Sequence, residues 1–305
     1  MGVDFDKLRD WRFEDQVHEI TPRDVILYAL GVGLGSPADD PDQLGFLYER
    51  GLKALPTMAS VMGYRGFWLE DPATGVDWRH VLHGEQKIRL FRPLPVEGFI
   101  RSRQRVSALV DRGVERGAHL LLERTLHDES GQLLAQIDHM SILRADGGFG
   151  RSVGVIEPAH SMPSGDPDLR IDVPVSERAA LIYRLSGDQN PLHIDPRMAA
   201  TAGFRRPILH GLCTFGIIGH AVLRSCAGYD PDRISMMRGR FTAPVYPGET
   251  IRVEIWRRGV TLSMRARAVE RDLLVFDRGH VELTPAGTAA GPQAEVASRT
   301  RLPAN

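Results

Sequence analysis

Four residues in the first half of the chain recur in the same order 151 positions later. The matched pairs are Arg89 and Arg240, Pro93 and Pro244, Ile100 and Ile251, and Arg101 and Arg252. Strand-like sequence follows each block, and each half then closes with a further pair of strands around a polar turn. Because several elements match in order, we predict a duplicated unit whose two halves have the same topology.

The segment GLCTFGIIGHAVLRSCAG, which begins at Gly211, is apolar on nearly all sides. A helix of that kind has to be buried on most of its surface. Strand-like stretches outnumber helical ones in both halves, and short polar turns favour antiparallel pairing. The pattern therefore predicts an α+β protein in which an antiparallel sheet wraps around a central helix.

Capping and breaking residues predict four further helices. They are a helix after Thr21-Pro22, a helix from Gln43 to about Met62, a helix from Ser176 to Leu185 with Gly187 just past its end, and a short helix from Asp195-Pro196 to Gly203. The sequence GVGLGS at residues 31–36 resembles a dinucleotide-binding fingerprint. It lacks the last glycine and follows a helical period, so a helix end is the better interpretation.

Glycine, proline and serine dominate residues 145–170, where no hydrophobic period is visible. We therefore predict an N-terminal half over residues 1–150, a linker over 151–172 and a C-terminal half over 173–305. Residues 286–305 have few large apolar side chains, so we expect a loose tail there.

The 305-residue chain has a formal net charge of -1, which provides no general attraction for nucleic acid or for an anionic membrane. Its longest apolar stretch is shorter than the roughly 20 residues of a membrane span. Two cysteines indicate a reducing compartment. With no hydrophobic leader and no peroxisomal ending, we expect a cytoplasmic protein.

One loop, LSGDQNPLHIDPRMA at residues 185–199, concentrates polar groups. It holds a carboxylate (Asp188), a carboxamide (Asn190) and an imidazole (His193), and Gly187 and Pro191 prevent regular structure. A metal site is one alternative, but one imidazole and one carboxylate are too few ligands for a closed site. A capped turn, in which the Asp and Asn side chains bind their own backbone, is the other.

The sequence downstream favours a catalytic interpretation of this loop. In ILHGLCTFG, Gly211 falls at the N-terminus of the buried helix, where its N–H has no intrahelical partner and the helix dipole adds positive potential. Such a donor suits an oxyanion. Carboxylate, imidazole and N–H together predict water chemistry next to a carbonyl. Cys213 beside His210 could instead suggest a thiol nucleophile, although a buried cysteine on an apolar helix is far commoner.

The stretch YRLSGDQNPLHIDPRMAATAGFRRPILHGLCTFG resembles the hydratase 2 motif of the MaoC-like, (R)-specific 2-enoyl-CoA hydratases, including the hydratase 2 portion of peroxisomal multifunctional enzymes type 2. The resemblance covers nearly the whole chain. Further matching stretches are YALGVG at residues 28–33, LHGEQ at 82–86, GGFG at 147–150 and PVYPG at 244–248.

The resemblance implies a double hotdog fold, formed by two hotdog halves side by side in one chain. It also implies reversible hydration of trans-2-enoyl-CoA to (3R)-3-hydroxyacyl-CoA, with no metal and no cofactor. The catalytic pair carries over to Asp188 and His193. Asn190 takes the position that orients this pair, and Gly211 that of the oxyanion donor.

The resemblance also implies contacts with the acyl-CoA thioester. They carry over to His83, Gly84, Arg112 (where the family often has lysine), Asp188, Gln189, Asn190, Pro191, Leu192, His193, Gly211 and Phe241. Only the second half has the Asp-x-Asn-Pro-x-His loop, so we expect one active site per chain and an N-terminal half that binds the acyl tail. We also expect a homodimer, because strand edges need cover.

Two alternative functions share these features. A hotdog thioesterase would attack the same thioester at its carbonyl carbon. A non-catalytic acyl-CoA binder, or the structural partner of a heteromeric hydratase, would be expected to lose the Asp–His pair, which this chain retains.

Overall fold

The computed structural model describes residues 3–285. Within this range the strands are β1 Gln16–Ile20, β2 Val81–Leu90, β3 Gly98–Asp111, β4 Ala118–His127, β5 Leu133–Leu143, β6 Ser152–Val153, β7 Leu169–Pro174, β8 Ile234–Phe241, β9 Thr250–Arg258, β10 Thr261–Ala268 and β11 Leu273–Leu283. The α-helices are α1 Phe5–Arg9, α2 Pro22–Gly31, α3 Pro41–Leu44, α4 Ala179–Tyr183, α5 Pro196–Thr201 and α6 Gly211–Cys226.

The strands form one antiparallel sheet in the order β1-β3-β4-β5-β2-β8-β11-β10-β9-β7, with the short β6 paired to β3. The sheet has a seam at its centre, where β2 pairs with β8 through Gln86 opposite Gly239 and Ile88 opposite Met237. Outward from this seam the two halves have the same strand order. The predicted duplication is therefore visible as two equivalent five-strand units, as a double hotdog requires.

Helix α6 occupies the centre of the core. Every residue from Leu212 to Leu223 is buried, as its apolar sequence predicted. Gly219 lets another segment approach closely, since a Cβ at this position would lie 2.6 Å from Thr57 Cγ2. Thr57 belongs to the 3-10 helix Pro56–Ser60. The N-terminal half therefore packs this short segment directly against the long helix of the C-terminal half.

The predicted helix from Gln43 to Met62 is wrong. Only α3 and the 3-10 helix Pro56–Ser60 form in that stretch. Gly51 has a φ of 74°, which leaves the helical region, and Pro56 has no N–H to continue a helix. The apolar residues here are buried by a folded-back loop instead.

The other helix predictions hold with shorter bounds. Thr21 and Asp24 form a capping box at the start of α2, which ends at Gly31 with Val32 as its C-cap, so residues 31–36 hold the helix end and the turn after it. The segment after Ser176 forms α4 and then the 3-10 helix Arg184–Ser186. Asp195 caps α5.

The connection between the halves runs from residue 144 to residue 168, so the last four residues of the predicted linker belong to β7. It is also fixed to the sheet. Glu157 forms ion pairs with Lys87 (2.9 Å) and Arg238 (2.8 Å), and His160 Nε2 lies 2.7 Å from Ser263 Oγ. The two halves thus share one sheet and one main core.

Across residues 3–285 the helices are all too short or too polar to cross a membrane. The predicted loose tail, residues 286–305, lies outside the described range.

Candidate active site

Gly187 begins the loop that carries the candidate catalytic groups. The 3-10 helix Arg184–Ser186 ends at this residue, whose φ of 118° lies in the left-handed region. A side chain would strain this conformation, so glycine allows the chain to turn here. Asp188 follows immediately.

Two side-chain hydrogen bonds shape the loop. One carboxylate oxygen of Asp188 accepts a hydrogen bond from the N–H of Asn190 (3.2 Å), and Asn190 Oδ1 accepts one from the N–H of Leu192 (2.9 Å). Pro191 then starts a 3-10 helix that ends at His193. The capped turn therefore exists, and it is also the device that brings Asp188 and His193 together.

His193 is the buried member of the predicted pair, with 9% of its surface exposed. Its Nδ1–H donates to the carbonyl oxygen of Ile208 (2.9 Å), which leaves Nε2 of the neutral ring as an acceptor. Burial lowers the pKa of His193, while the Ile208 carbonyl and the Asp188 charge oppose this shift.

A carboxylate oxygen of Asp188 and one ring nitrogen each of His193 and His210 lie within 4.8 Å of one another. Hydrogen bonds to water span about 2.7–3.0 Å. The distance between Asp188 and His193 therefore leaves room for one water molecule that contacts both side chains.

His210 was not among the predicted catalytic or substrate-contacting residues. Its Nε2–H donates to the backbone carbonyl of Asp188 (3.2 Å), and its ring stacks on His193 with centroids 3.8 Å apart. Burial, followed by the neighbouring His193, lowers the pKa of His210 to about 3, so the ring is neutral. The recurrence of a His-Gly pair at residues 83–84 and 210–211 was the signal that could have identified it.

Gly211 is the first residue of α6, as predicted. His210 precedes it as the N-cap residue without a capping side-chain hydrogen bond. The first amides of a helix have no intrahelical acceptor. A Cβ at Gly211 would lie 3.6 Å from the Phe241 ring, an ordinary contact. The helix N-terminus thus opens next to both Phe241 and the catalytic loop.

Two more of the predicted substrate contacts lie beside Phe241. The His83 ring has its centroid 4.5 Å from the Phe241 ring and stacks on His139 at 3.8 Å. Burial lowers the pKa of His83 well below its ordinary value, so this ring is neutral as well. Gly84 is buried at a bulge, where a Cβ would come within 2.8 Å of Met140, so only its backbone is available to a ligand.

The other predicted contacts lie nearer the surface. Gln189 and Pro191 are exposed and Leu192 is half-buried. Arg112 is exposed in the turn between β3 and β4. Burial, followed by the charges of Arg112 and Arg240, lowers the pKa of His119 on β4. Both arginines therefore lie within electrostatic reach of this strand.

The two chemical alternatives fit the structure less well. Burial raises the pKa of the Cys213 thiol, and its Sγ lies 3.4 Å from the Gly31 carbonyl oxygen, so a nucleophilic thiolate is disfavoured. Asp188, His193 and His210 could together provide three ligands for a metal ion. However, the two imidazole planes are stacked at 29° and do not direct their in-plane lone pairs at one point.

A narrow cavity of about 40 Å³ lies between the inner face of the N-terminal half and residues 60–69. Leu212 and Tyr64 both line it. Leu212 follows Gly211, and the pKa of Tyr64 is raised by burial and then by the charge of Asp188. The cavity therefore adjoins the catalytic loop. A larger cleft of about 190 Å³, around Asp230 and Asp232, contains none of the predicted site residues.

Comparisons with known protein families match both halves of the chain. The MaoC like domain matches residues 159–277, and the MFE-2 hydratase 2 N-terminal domain matches residues 18–145. The two matches meet in the segment that connects β5 with β7.

Three curated relatives match most of this chain. It is 41% identical to 3-hydroxyacyl-thioester dehydratase Y of Mycobacterium tuberculosis (80% of this chain, 84% of the relative) and 37% identical to the peroxisomal enoyl-CoA hydratase 2 of Arabidopsis thaliana (86% and 89%). It is 34% identical to peroxisomal multifunctional enzyme type 2 of Drosophila melanogaster over 88% of this chain, but spans only 46% of that protein.

Solved structures give the same result for the fold. A MaoC-like dehydratase from Phytophthora capsici superposes with a TM-score of 0.81 at 30% identity, covering 92% of this chain and 99% of that one. A Mycobacterium tuberculosis protein described as a double hotdog fold has a TM-score of 0.54 at 17% identity, covering 90% of this chain and 97% of that one. The α+β double hotdog prediction is therefore confirmed.

Proposed function

Because the chain belongs to the MaoC-like family that includes the hydratase 2 enzymes, we propose that it is a hydro-lyase. It would add water reversibly to trans-2-enoyl-CoA thioesters and give (3R)-3-hydroxyacyl-CoA. Two relatives that the chain matches along most of their length are named for dehydration of 3-hydroxyacyl thioesters and for hydration of enoyl-CoA, which are opposite directions of one reaction. The observation that carries the proposal is the Asp188–His193 pair beside the start of α6.

In this mechanism Asp188 and His193 hold one water molecule. The Asp188 carboxylate and Nε2 of His193 both accept its hydrogens. As the water oxygen bonds to Cβ, a proton passes to this pair, the C=C π bond breaks and a proton from the same pair is delivered to Cα. Addition from one face follows because a single water and its two holders serve both steps. Such acid–base groups contribute about 10²–10⁴-fold to the rate.

Negative charge that develops on the thioester oxygen is met by the N–H of Gly211. This donor is fixed before the reaction begins, and the dipole of α6 adds positive potential. One donor of this kind contributes about 10²–10³-fold. The CoA moiety would approach past His83 and Phe241, and the exposed Arg112 would contact a phosphate.

We propose that the N-terminal half binds the acyl tail and that each chain has one active site. The catalytic loop occurs once in the sequence. On the N-terminal side, the 3-10 helix Pro56–Ser60 is far shorter than α6, and Leu212 is one of the residues that line the adjacent cavity. Titration with a non-hydrolysable enoyl-CoA analogue should therefore saturate near one molecule per chain.

We also propose that the protein forms a homodimer and that it is located in the cytoplasm. Within residues 3–285, β1 and β7 lie at the two ends of the sheet and each leaves one edge open to a partner. Cys213 and Cys226 are both free, as a reducing compartment favours. Light scattering of the full chain measures the number of subunits.

Incubation with crotonyl-CoA tests the activity. Loss of the enoyl absorbance without release of free thiol indicates hydration, whereas free thiol indicates the thioesterase alternative. Coupling the product to dehydrogenases specific for the (3R) or the (3S) isomer reads out the configuration, and only the (3R)-specific enzyme should respond. No change in absorbance, with binding retained, would support the non-catalytic alternative.

A further inference from the structure

Arg124 lies at the end of an apolar row on the inner face of the sheet, and its neighbour on the other side is Gln104 of β3. Across neighbouring strands Arg124 pairs with Ile137, Ile137 with Ile88, and Ile88 with Met237. The three apolar side chains are at most 2% exposed, and Arg124 is itself only 5% exposed. A guanidinium therefore lies where the pattern of the sheet calls for a hydrophobic side chain.

This charge has no acidic partner among residues 3–285. Nη2 of Arg124 donates to the carbonyl oxygens of Ala59 (3.3 Å) and Ser60 (2.5 Å), while its Nε is buried without a hydrogen-bond partner. The Tyr64 ring lies 5.8 Å from the guanidinium carbon. Burial lowers the pKa of Arg124 to about 10, so it stays cationic at neutral pH. An uncompensated buried charge is strongly unfavourable unless a ligand supplies its counter-ion.

The surroundings of Arg124 belong to the cavity that adjoins the catalytic loop. Arg124 lines this cavity together with Ser60 and Gln86, and the buried Oγ of Ser60 has no hydrogen-bond partner among residues 3–285. Burial, followed by the Arg124 charge, lowers the pKa of the lining His139 to about 4, so that ring is neutral. Arg124 is thus the one charged group among the described residues of the lining.

We propose that Arg124 binds a carboxylate at the far end of the acyl group, so that the preferred substrates are short enoyl-CoA thioesters of dicarboxylic acids. This inference rests on the proposed hydratase function and specifies its substrate class. A carboxylate accepts hydrogen bonds from a guanidinium in a planar, charge-assisted geometry, and it would supply the missing counter-ion. The cavity of about 40 Å³ has room for a few water molecules, which suits a small terminal group on a short chain.

A purely structural role is the competing explanation, because Arg124 also holds the carbonyls at the end of the 3-10 helix Pro56–Ser60. That role would affect stability and leave substrate preference unchanged. The test therefore compares two substrates of equal carbon number: trans-2-hexenoyl-CoA and its analogue that ends in a carboxylate, trans-2-hexenedioyl-CoA. The ratio of their kcat/KM values is the readout.

The wild-type protein should favour the carboxylate-ended substrate by about 10- to 100-fold, since a hydrogen bond to a charged group contributes about 1.5–3 kcal/mol. Arg124→Met should abolish this preference and Arg124→Lys should retain part of it. Arg105→Met is the matched control, because Arg105 lies on the neighbouring strand, is 67% exposed and pairs with Glu123, so its removal should leave the ratio unchanged. A wild-type ratio near one, or the same ratio in Arg124→Met, would overturn the proposal.

Binding measurements distinguish a failure of this inference from a failure of the proposed hydratase function. Calorimetry with the saturated thioesters hexanedioyl-CoA and hexanoyl-CoA requires no turnover. If neither enoyl substrate is hydrated, the hydratase proposal fails, while tighter binding of hexanedioyl-CoA still supports the role of Arg124. If both are hydrated and the methyl-ended substrate is preferred, the hydratase proposal stands and the Arg124 inference fails. If Arg124→Met does not fold, the wild-type kcat/KM ratio and the wild-type affinities for hexanedioyl-CoA and hexanoyl-CoA test the inference instead.

Discussion

The imidazole rings of His193 and His210 stack with their centroids 3.8 Å apart and their planes at 29°. Each ring uses one nitrogen to hold the loop: Nδ1 of His193 binds the Ile208 carbonyl, and Nε2 of His210 binds the Asp188 carbonyl. His210 therefore fixes both members of the proposed catalytic pair, one by stacking and one by a hydrogen bond.

Replacing His210 tests this positioning role. His210→Phe keeps a flat ring against His193 but removes the donor to the Asp188 carbonyl. We expect kcat to fall by about 3- to 10-fold with a smaller change in KM, because one neutral hydrogen bond contributes about 0.5–1.5 kcal/mol. His210→Ala, which also removes the stack, should lose more. A wild-type kcat in His210→Phe would mean that this bond does not position Asp188.

Gly211 is tested by two substitutions of different size. A Cβ at this position makes an ordinary contact with Phe241 at 3.6 Å, so Gly211→Ala should fold and keep most of its activity. Gly211→Val adds two methyl groups beside the helix N-terminus and should obstruct the thioester, which lowers kcat/KM for crotonyl-CoA far more than the alanine change. Equal activity of the two variants would indicate that the carbonyl is polarised elsewhere.

The acyl-tail cavity is tested from its wall at Leu122 on β4. Leu122 lines the cavity and is only half-buried, so Leu122→Trp can narrow the space with less disturbance of packing than a change at a fully buried position. Ala59 and Met62 are nearly fully buried, and tryptophan there would disrupt packing as well. Leu122→Trp should depress kcat/KM for trans-2-octenoyl-CoA more than for crotonyl-CoA. Equal losses would contradict the assignment of the tail to this half.

Stability should decline as the solution becomes acidic. Burial lowers the pKa of His139 and His220 to about 4 and that of His210 to about 3, against an ordinary value of 6.5. Such histidines bind fewer protons in the folded chain than in the unfolded one. Their contribution to the free energy of unfolding is therefore fully present above about pH 6.5. It is lost as the pH falls towards the lowered pKa values of the folded chain. The urea midpoint should accordingly be lower at pH 5 than at pH 7.

A single variant checks the cause of this pH dependence. His220 lies outside the catalytic loop, and its Nε2 is 3.2 Å from the Tyr229 hydroxyl. His220→Gln retains a polar partner but cannot titrate, so the difference between the two midpoints should shrink. An unchanged or higher urea midpoint at pH 5 in the wild-type protein would show that the buried histidines do not destabilise the folded chain at acidic pH.

Sequence alone predicted the features that depend on local pattern or on the duplication. The repeat of Arg89 as Arg240 anticipated equivalent strands β2 and β8 on either side of the seam, and the apolar run from Gly211 anticipated the enclosed helix α6. The grouping of Asp188 with His193 also followed, because a short turn with its own side-chain caps determines it.

Features that depend on contacts between distant segments could not be predicted in this way. The loop that replaces the expected helix after Gln43 is buried by packing against α6, which its own periodicity does not reveal. His210 contacts Asp188 across 22 positions of sequence. From the sequence alone, Arg124 resembles the other arginines on the surface of the strands. Only the pairing register across β4, β5 and β2 shows that it lies on the inner face of the sheet.

The most direct test of the proposed acid–base mechanism is the rate of crotonyl-CoA hydration by Asp188→Asn, His193→Ala and the double variant. Asp188→Asn keeps an oxygen for the Asn190 N–H but removes the base. Each single change should lower kcat by about 10²–10⁴-fold, and the double variant should be little worse than the poorer single one, because both groups act on one water. Near-wild-type turnover in a folded Asp188→Asn variant would contradict the mechanism.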